Sequence, residues 1–347
     1  MVRNGRAAAR REQNDTTRRG CERVPSAHAS ASGARRSAIL SGVTTTKPLR
    51  LVVAINPTAS FGKGRDVGPA VVQTLRAVGH DVTSLQEPDF EQLMDAGRKA
   101  VAKRPDAFIV VGGDGMVNLG TNLVAGTRVP LGIVPSGTGN DMARGLGIPF
   151  DDSEAAIRAL LDALGRPARV IDAGKVRWLE DGDEHERWWA CVLSAGFDAI
   201  VNERANRMRH PKGPSRYLVA LGLELARLRP IRYRLTLDGE VLETSGALIA
   251  VGNNISLGGG MKVTPHADLE DGLLDVLLVQ ALSRASFLRL FPSVFKGEHL
   301  RDPRVRVIRA KRIRIESDAV VAYADGERMA PLPIDIEVVP RALRVLV

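Results

Sequence analysis

Three glycine-rich segments, each directly after a short apolar run, constrain the fold more than any other feature of this chain. Asn56 to Gly64 (NPTASFGKG) follows Leu51–Ile55, Gly112 to Met116 (GGDGM) follows Ala107–Val111, and Pro135 to Asp141 (PSGTGND) follows Leu131–Val134. A continuous apolar run of this length reads as a strand buried on both faces of a parallel sheet. Between the runs, Val71, Val72, Leu75 and Val78 recur at helical spacing, as do Phe90, Leu93, Met94, Gly97 and Val101. Residues 80–85 read as a further strand. The alternation implies an open parallel sheet with helices on both faces, in which ligands sit at the carboxyl ends of the strands. Glycines let backbone N–H groups approach phosphate oxygens, and helix N-termini add positive partial charge. Three such loops at one sheet edge predict a nucleotide-phosphate site. The chain has no GxxxxGK[ST] loop and no GxGxxG after its first strand, so the cradle is neither the P-loop nor the dinucleotide fingerprint.

Beyond Arg166 the pattern changes to strand-like segments, at 188–193, 233–237, 247–251, 273–279 and 305–315, with helical stretches near 199–208 and 217–228. The expected organisation is a basic tail over 1–47, a nucleotide domain over 48–165, and a β-rich domain over 166–347 whose last strand is free to pack back on the first domain. A length of 347 residues suits two domains. The net charge of +9 points to nucleic acid only until it is divided: ten Lys or Arg against three acidic residues put +7 in the tail and leave +2 elsewhere. A nearly neutral body argues against a nucleic-acid groove. The tail reads as a disordered extension or an early start codon, with a basic lipid anchor as the alternative. Two cysteines provide no disulfide framework or Cys-rich zinc site, and no apolar run approaches the ~18 residues of a bilayer span. A cytoplasmic setting is expected. The six histidines show no metal-ligand spacing, and His210 and His299 read as surface residues.

The order NPxxxxGKG, GGDG, SGTGND, GGGM, DGLLDV and DGE resembles the soluble bacterial diacylglycerol kinase family, kin to sphingosine and ceramide kinases, over residues 50–347. GGDG alone is shared with NAD kinases and phosphofructokinases; the later motifs single out the lipid kinases. The resemblance implies an α/β fold, with a Rossmann-like N-terminal nucleotide domain followed by a β-sandwich-like second domain and the active site in the cleft between them. It implies ATP and Mg²⁺ as cofactors, with ATP contacts at Asn56, Pro57, Thr58, Ala59 and Ser60, at Gly113, Asp114, Gly115, Met116, Val117, Asn118 and Leu119, and at Thr138. Two positions depart from the family pattern: Met116 stands where Thr is usual, and Leu119 where Glu is usual.

Phosphoryl transfer needs positioning, charge neutralisation and a base near the attacking hydroxyl. The resemblance puts that base at Glu327 and has Asp114, joined by Asp325, order the metal and its water shell. Read alone, Asp325-Gly326 is equally a hairpin turn. A second, structural Mg²⁺ is implied at the Asp271 carboxylate and the carbonyls of Asp268 and Leu273, against the reading of a solvated acidic turn. Residues 194–198 and 253–261 match segments that line the family's cleft, although Gly258–Gly260 also reads as a β-bulge or loop. Ser283–Lys296 spaces Phe287, Leu288, Phe291 and Phe295 among Arg284, Arg289 and Lys296, the pattern of a core helix or of a membrane-surface helix.

The expected activity is ATP-dependent phosphorylation of a lipid hydroxyl, with diacylglycerol the favoured acceptor. Sphingosine or another lipid, NAD, and a regulatory protein with weakened catalysis are the alternatives. The expected partner is a membrane surface, met peripherally and reversibly, with no nucleic acid; a homodimer stays open.

Overall fold

The structure is a computed structural model and describes residues 47–56, 66–208, 210, 214–318 and 320–347. Most of the basic tail lies outside them, and so do Pro57, Thr58, Ala59 and Ser60. The first half alternates strand and helix: β1 (Arg50–Ile55), α1 (Val67–Ala77), β2 (Asp81–Leu85), α2 (Phe90–Ala102), β3 (Ala107–Gly112), α3 (Asp114–Val124), β4 (Leu131–Pro135), α4 (Asp141–Leu146) and α5 (Ser153–Leu164). The order β2-β1-β3-β4 is parallel throughout, with Val53 opposite both Ser84 and Ile109, and Ile109 opposite Gly132. Every residue of β3 and β4 is buried, which is why these strands are continuously apolar and do not alternate. α2 and α5 start where the side chain of the preceding N-cap residue accepts from first-turn N–H groups. Asp89 accepts from Gln92 N at 2.9 Å, and Asp152 accepts from Glu154 N and Ala155 N.

The second half is β-rich: β5 (Arg169–Glu180), β6 (Asp183–Trp189), β7 (Val192–Gly196), α6 (Phe197–Arg207), α7 (Pro214–Ala226), β8 (Ile231–Leu237), β9 (Glu240–Gly252), β10 (Leu274–Gln280), α8 (Arg284–Val294), a 3₁₀ turn (Glu298–Arg301), β11 (Val305–Ala310), β12 (Arg312–Glu316), β13 (Val321–Ala324), β14 (Glu327–Pro331) and β15 (Ile334–Val345). Its β-sandwich-like core includes Trp189, Tyr233, Leu235, Ile249, Val276 and Ile315. Trp189 is wholly buried, and a Cβ on Gly174 would lie 2.1 Å from its ring, so only glycine fits opposite it. Truncating such a side chain costs about 3–5 kcal/mol.

One continuous sheet joins the halves, in the order β14-β13-β7-β9-β8-β12-β15-β4-β3-β1-β2. β15 is the hinge piece of this order. Its start pairs antiparallel with β12, its length with β5, and its end is parallel to β4 through Val345 and Leu131. Asp172 in β5 fastens the same junction by accepting from Arg341 N at 2.8 Å and Gly272 N at 2.7 Å. This join points the carboxyl ends of β3 and β4 toward the loops of the second half.

One surface assignment fails. His299 is buried, with Nε2 3.0 Å from the Val263 carbonyl, because the 3₁₀ turn folds it under the sandwich; His210 is exposed. The reading of 283–296 as a core helix also fails. α8 forms, but it has no fully buried residue, since one side packs on the sandwich and Leu288 and Phe295 face outward.

Candidate active site

The second and third glycine loops are built against each other. A Cβ on Gly137 would lie 2.4 Å from the Gly113 Cα, and one on Gly139 would lie 2.2 Å from Asp114 Oδ2. Side chains at 137 and 139 would push the loops apart. Asp114 is the first residue of α3, and its carboxylate crosses to the next loop, accepting from Asn140 N at 3.0 Å and Asp141 N at 2.7 Å. Asn140 takes a left-handed φ of 54° and closes the turn on itself, Oδ1 accepting from Gly137 N and Nδ2 donating to Gly137 O. The first turn of α3 has Gly113 as its N-cap and no side-chain cap, so its leading N–H groups are left for a ligand.

Asp141 was part of a recognised motif, yet its role was not legible in sequence. Its Oδ2 accepts from Gly259 N and its Oδ1 from Gly260 N, both at 2.9 Å, while its carbonyl accepts from Asn254 Nδ2 at 3.0 Å. Gly258, Gly259 and Gly260 all have positive φ and form a loop laid over Thr138 and Gly139. The cleft between these segments, about 790 Å³, is lined by residues of both halves, including Asp114, Thr138, Asp141, Asp198, Gly259 and Asp325. That volume falls in the range of small-molecule sites.

Asp325 and Gly326 are the two turn residues between β13 and β14, with φ of 52° and 83°, as the hairpin reading expects. The buried Asp325 carboxylate accepts from Ala190 N (2.8 Å), Cys191 N (2.9 Å) and Val192 N (3.2 Å). Burial pushes its pKa up to about 6 against the pull of these three donors, and the Asp114 charge adds to the rise. Its oxygens are thus engaged in holding the hairpin down. Two residues on, Glu327 is exposed, and its Oε1 lies 3.3 Å from where a Cβ on Gly115 would be. The hairpin therefore sets a carboxylate directly over the start of α3.

Asp114 also titrates above the ordinary carboxylate range, first because it is buried and next because Asp141 is beside it; its backbone donors oppose this. Cys191 is buried, and its thiol is pushed well up by burial and the surrounding carboxylates, which leaves it inert.

The structure places the expected nucleotide contacts unevenly. Asp114, Val117 and Thr138 line the cleft, Gly113 packs against Gly137 beside it, Gly115 lies under Glu327, and Asn56 follows β1 with its N–H donating to the Val111 carbonyl. The side chains of Met116 and Leu119 do not belong to this set. They are 1% and 3% exposed and pack in the core of the nucleotide domain, and Met116 fills the space that a Cβ on Gly112 would take. Asn118 is buried beside Asn122, which bridges α3 to Trp188 of β6. None of these three lines the cleft.

At the turn where a structural metal is expected, the carboxylate that would hold it faces an arginine. The Asp271 carboxylate is paired with the Arg309 guanidinium and accepts from Leu273 N at 3.0 Å, while Asp268 accepts from Glu270 N at 3.0 Å. Arg309 also reaches Asp275 at 3.2 Å. The positive charge at this turn is the guanidinium. Among the described residues no three Asp, Glu, His or Cys side chains converge as a metal cluster.

Two outcomes follow from this geometry. Asp325→Ala leaves three buried N–H groups without an acceptor, and urea unfolding should show a loss of about 3 kcal/mol. A loss below about 1 kcal/mol would mean that other acceptors replace the carboxylate. Without nucleotide, the unfolding temperature should be the same in Mg²⁺ and in chelator, whereas Arg309→Ala should lower it by a few degrees. A clear rise with Mg²⁺ in the unsubstituted protein would restore the metal at Asp271.

The comparisons with known proteins agree with this arrangement. A model of the diacylglycerol kinase catalytic domain matches residues 50–175, and one of the YegS C-terminal NAD kinase beta sandwich-like domain matches residues 191–347. A diacylglycerol kinase of Mycobacterium tuberculosis (strain ATCC 25618 / H37Rv) is 41% identical over 298 residues, covering 86% of this chain and 94% of the relative. One of Bacillus subtilis (strain 168) is 27% identical over 289 residues, 82% of this chain and 91% of the relative. In fold, a diacylglycerol kinase structure from Bacillus anthracis str. Sterne superposes with a TM-score of 0.65 at 23% identity, covering 87% of this chain and 98% of the other. Yeast NADH kinase complexed with NADH superposes with a TM-score of 0.52 at 12% identity, over 86% and 83% of the two chains. By its relatives and its domains, the chain belongs to the diacylglycerol kinase family and is an ATP-dependent lipid kinase.

Proposed function

We propose that this kinase transfers the γ-phosphoryl group of ATP to the free hydroxyl of diacylglycerol, giving phosphatidic acid and ADP. The observation that carries the reading is the position of Glu327, whose Oε1 lies against Gly115 at the start of α3, beside a cleft lined by Asp114, Thr138 and Asp325. ATP phosphates lie against the leading N–H groups of α3 and the loop around Thr138. The lipid hydroxyl enters beside Glu327, which accepts its proton as the oxygen bonds to the γ-phosphorus. The bond from that phosphorus to the β,γ-bridging oxygen breaks, and ADP leaves.

Mg²⁺ fits next to Asp114, where buried carboxylate charge from Asp141 and Asp325 favours a cation, and when bound it neutralises the phosphate oxygens. Asp114, at the N-terminus of α3, would hold it. Met116 and Leu119 differ from the family pattern on the core side of α3, so these departures give no support to a protein that has lost catalysis.

No helix among the described residues is long and apolar enough to cross a membrane. A bilayer lipid is then met from the surface, and α8 suits that contact: Leu288 and Phe295 are exposed on a helix flanked by Arg284, Arg289 and Lys296. This reading puts the enzyme at the cytoplasmic face of the membrane, bound reversibly.

Glu327→Ala should lower kcat on diacylglycerol in mixed micelles by about 10²-fold or more, the usual size of a general-base contribution, while calorimetry finds ATP affinity unchanged. Full turnover by the variant would assign the base elsewhere. Incubating the unsubstituted protein with labelled ATP and diacylglycerol, sphingosine, ceramide or NAD names the acceptor.

A further inference from the structure

The β13–β14 hairpin that carries Glu327 is held from two sides. Asp325 fastens its turn through Ala190, Cys191 and Val192. The other grip comes from α6. Tyr323 pairs with Arg328 across the hairpin, and Ala324 with Glu327. Residues paired across two strands share a face and successive residues alternate, so Tyr323 and Arg328 project to the face opposite Glu327. There they meet Glu203, whose Oε2 accepts from the Tyr323 hydroxyl at 2.5 Å and lies 3.5 Å from Arg328 Nε. Its Oε1 accepts from Arg207, one turn further along α6.

This is a built contact and not a loose surface pair. Tyr323 is 2% exposed, and the Glu203 side chain 20%. The Tyr323 hydroxyl first, and then the charges of Arg207 and Arg328, hold the Glu203 carboxyl below the ordinary carboxylate range against the effect of burial. A hydroxyl donating to an ionised carboxylate makes a short, charge-assisted bond. α6 is itself anchored. Val201 and Ala205 are buried in a cluster with Ala220 of α7, Arg204 pairs with Glu224 of α7, and Phe197 stands edge-on to Phe287 of α8 with ring centroids 4.8 Å apart.

The grip falls on the residue that follows Glu327 in the chain, Arg328, and on Tyr323 across from it. Among the described residues, Glu203 is the one carboxylate within 4.0 Å of the Arg328 guanidinium. Glu203 thus neutralises a positive charge that sits one residue from the base, and it ties both strands of the hairpin to a helix of the second half.

We propose that Glu203 is a positioning residue for the phosphoryl transfer: by holding Tyr323 and Arg328 from α6, it sets the reach of Glu327 over the start of α3. This rests on the reading of Glu327 as the base and adds the side chain that aims it. The step tolerates little error, because misplacing a reacting group by about 1 Å costs about 10²-fold in rate.

The test is a cycle of four full-length enzymes turning over dioctanoylglycerol: unsubstituted, Glu203→Ala, Glu327→Ala and the double variant. Glu203→Ala should lower kcat about tenfold and leave KM for ATP unchanged, as expected of a base displaced by a fraction of an ångström. In the Glu327→Ala enzyme the same substitution should cost less than about twofold, since no base is left to aim. Glu203→Gln keeps an oxygen for the Tyr323 hydroxyl and should recover part of the loss. Tyr323→Phe keeps the buried ring and removes only the hydroxyl; it should lower kcat about fivefold, the worth of one hydrogen bond, and add nothing to Glu203→Ala. This milder variant runs the same cycle if Glu203→Ala does not fold. Equal losses with and without Glu327, or unchanged kcat in both Glu203→Ala and Tyr323→Phe, overturn the inference and leave Glu327 as the base. Full turnover by Glu327→Ala overturns the base reading, and the inference with it.

Discussion

Asp141 begins a short helix of the nucleotide domain and gives both carboxylate oxygens to backbone N–H groups of the second half, at Gly259 and Gly260. Charge-assisted bonds of this kind are among the stronger ones a protein makes, and here both ends are fixed in tight loops. The contact brings the triple-glycine loop onto Thr138 and Gly139, and so gives the cleft a second wall. The other properties of the site depend on that closure. With the walls together, Asp114 is buried beside Asp141 and its carboxyl rises above the ordinary range. Asp325 repeats the device from the opposite direction. It belongs to the second half and anchors the β13–β14 hairpin to Ala190, Cys191 and Val192, which brings Glu327 over α3. Asp141 and Asp325 both act as fasteners, the first between the halves and the second within the β-rich half.

The parts of the fold that were legible in sequence were those governed by local chemistry. β1, β3 and β4 are apolar along their whole length because both faces are covered, and their loops are glycine-rich because Gly137 and Gly139 touch Gly113 and Asp114. What the residues could not disclose was pairing over long separations. Asp141 was visible at the end of SGTGND, but nothing local says that its acceptors face Gly259 and Gly260. Arg309 lies in a strand far from the acidic turn at 268–273, and only the β10–β11 pairing brings it to Asp271 and Asp275. The same limit misplaced His299, whose burial is decided by the turn around it, and α8, whose amphipathic pattern fits a core and a membrane surface equally well. Met116 and Leu119 show the limit of motif matching: they sit at positions named for nucleotide contact, and their side chains serve the core.

The two halves divide the chemistry of a lipid kinase between them. Glycine loops, uncapped helix N–H groups and carboxylates suit phosphates and a metal; the β-rich half brings Glu327 over them on a hairpin that Asp325 fastens.

The central claim is that phosphate cradle, base and acceptor hydroxyl meet at the start of α3. The most direct measurement is a crystal structure of the Glu327→Gln enzyme with ATP, Mg²⁺ and dioctanoylglycerol. The account predicts the γ-phosphate at the N-terminus of α3 near Thr138, with the lipid hydroxyl between it and the side chain at 327. A nucleotide bound away from the glycine loops, or a lipid hydroxyl on the far side of the cleft from residue 327, would contradict it.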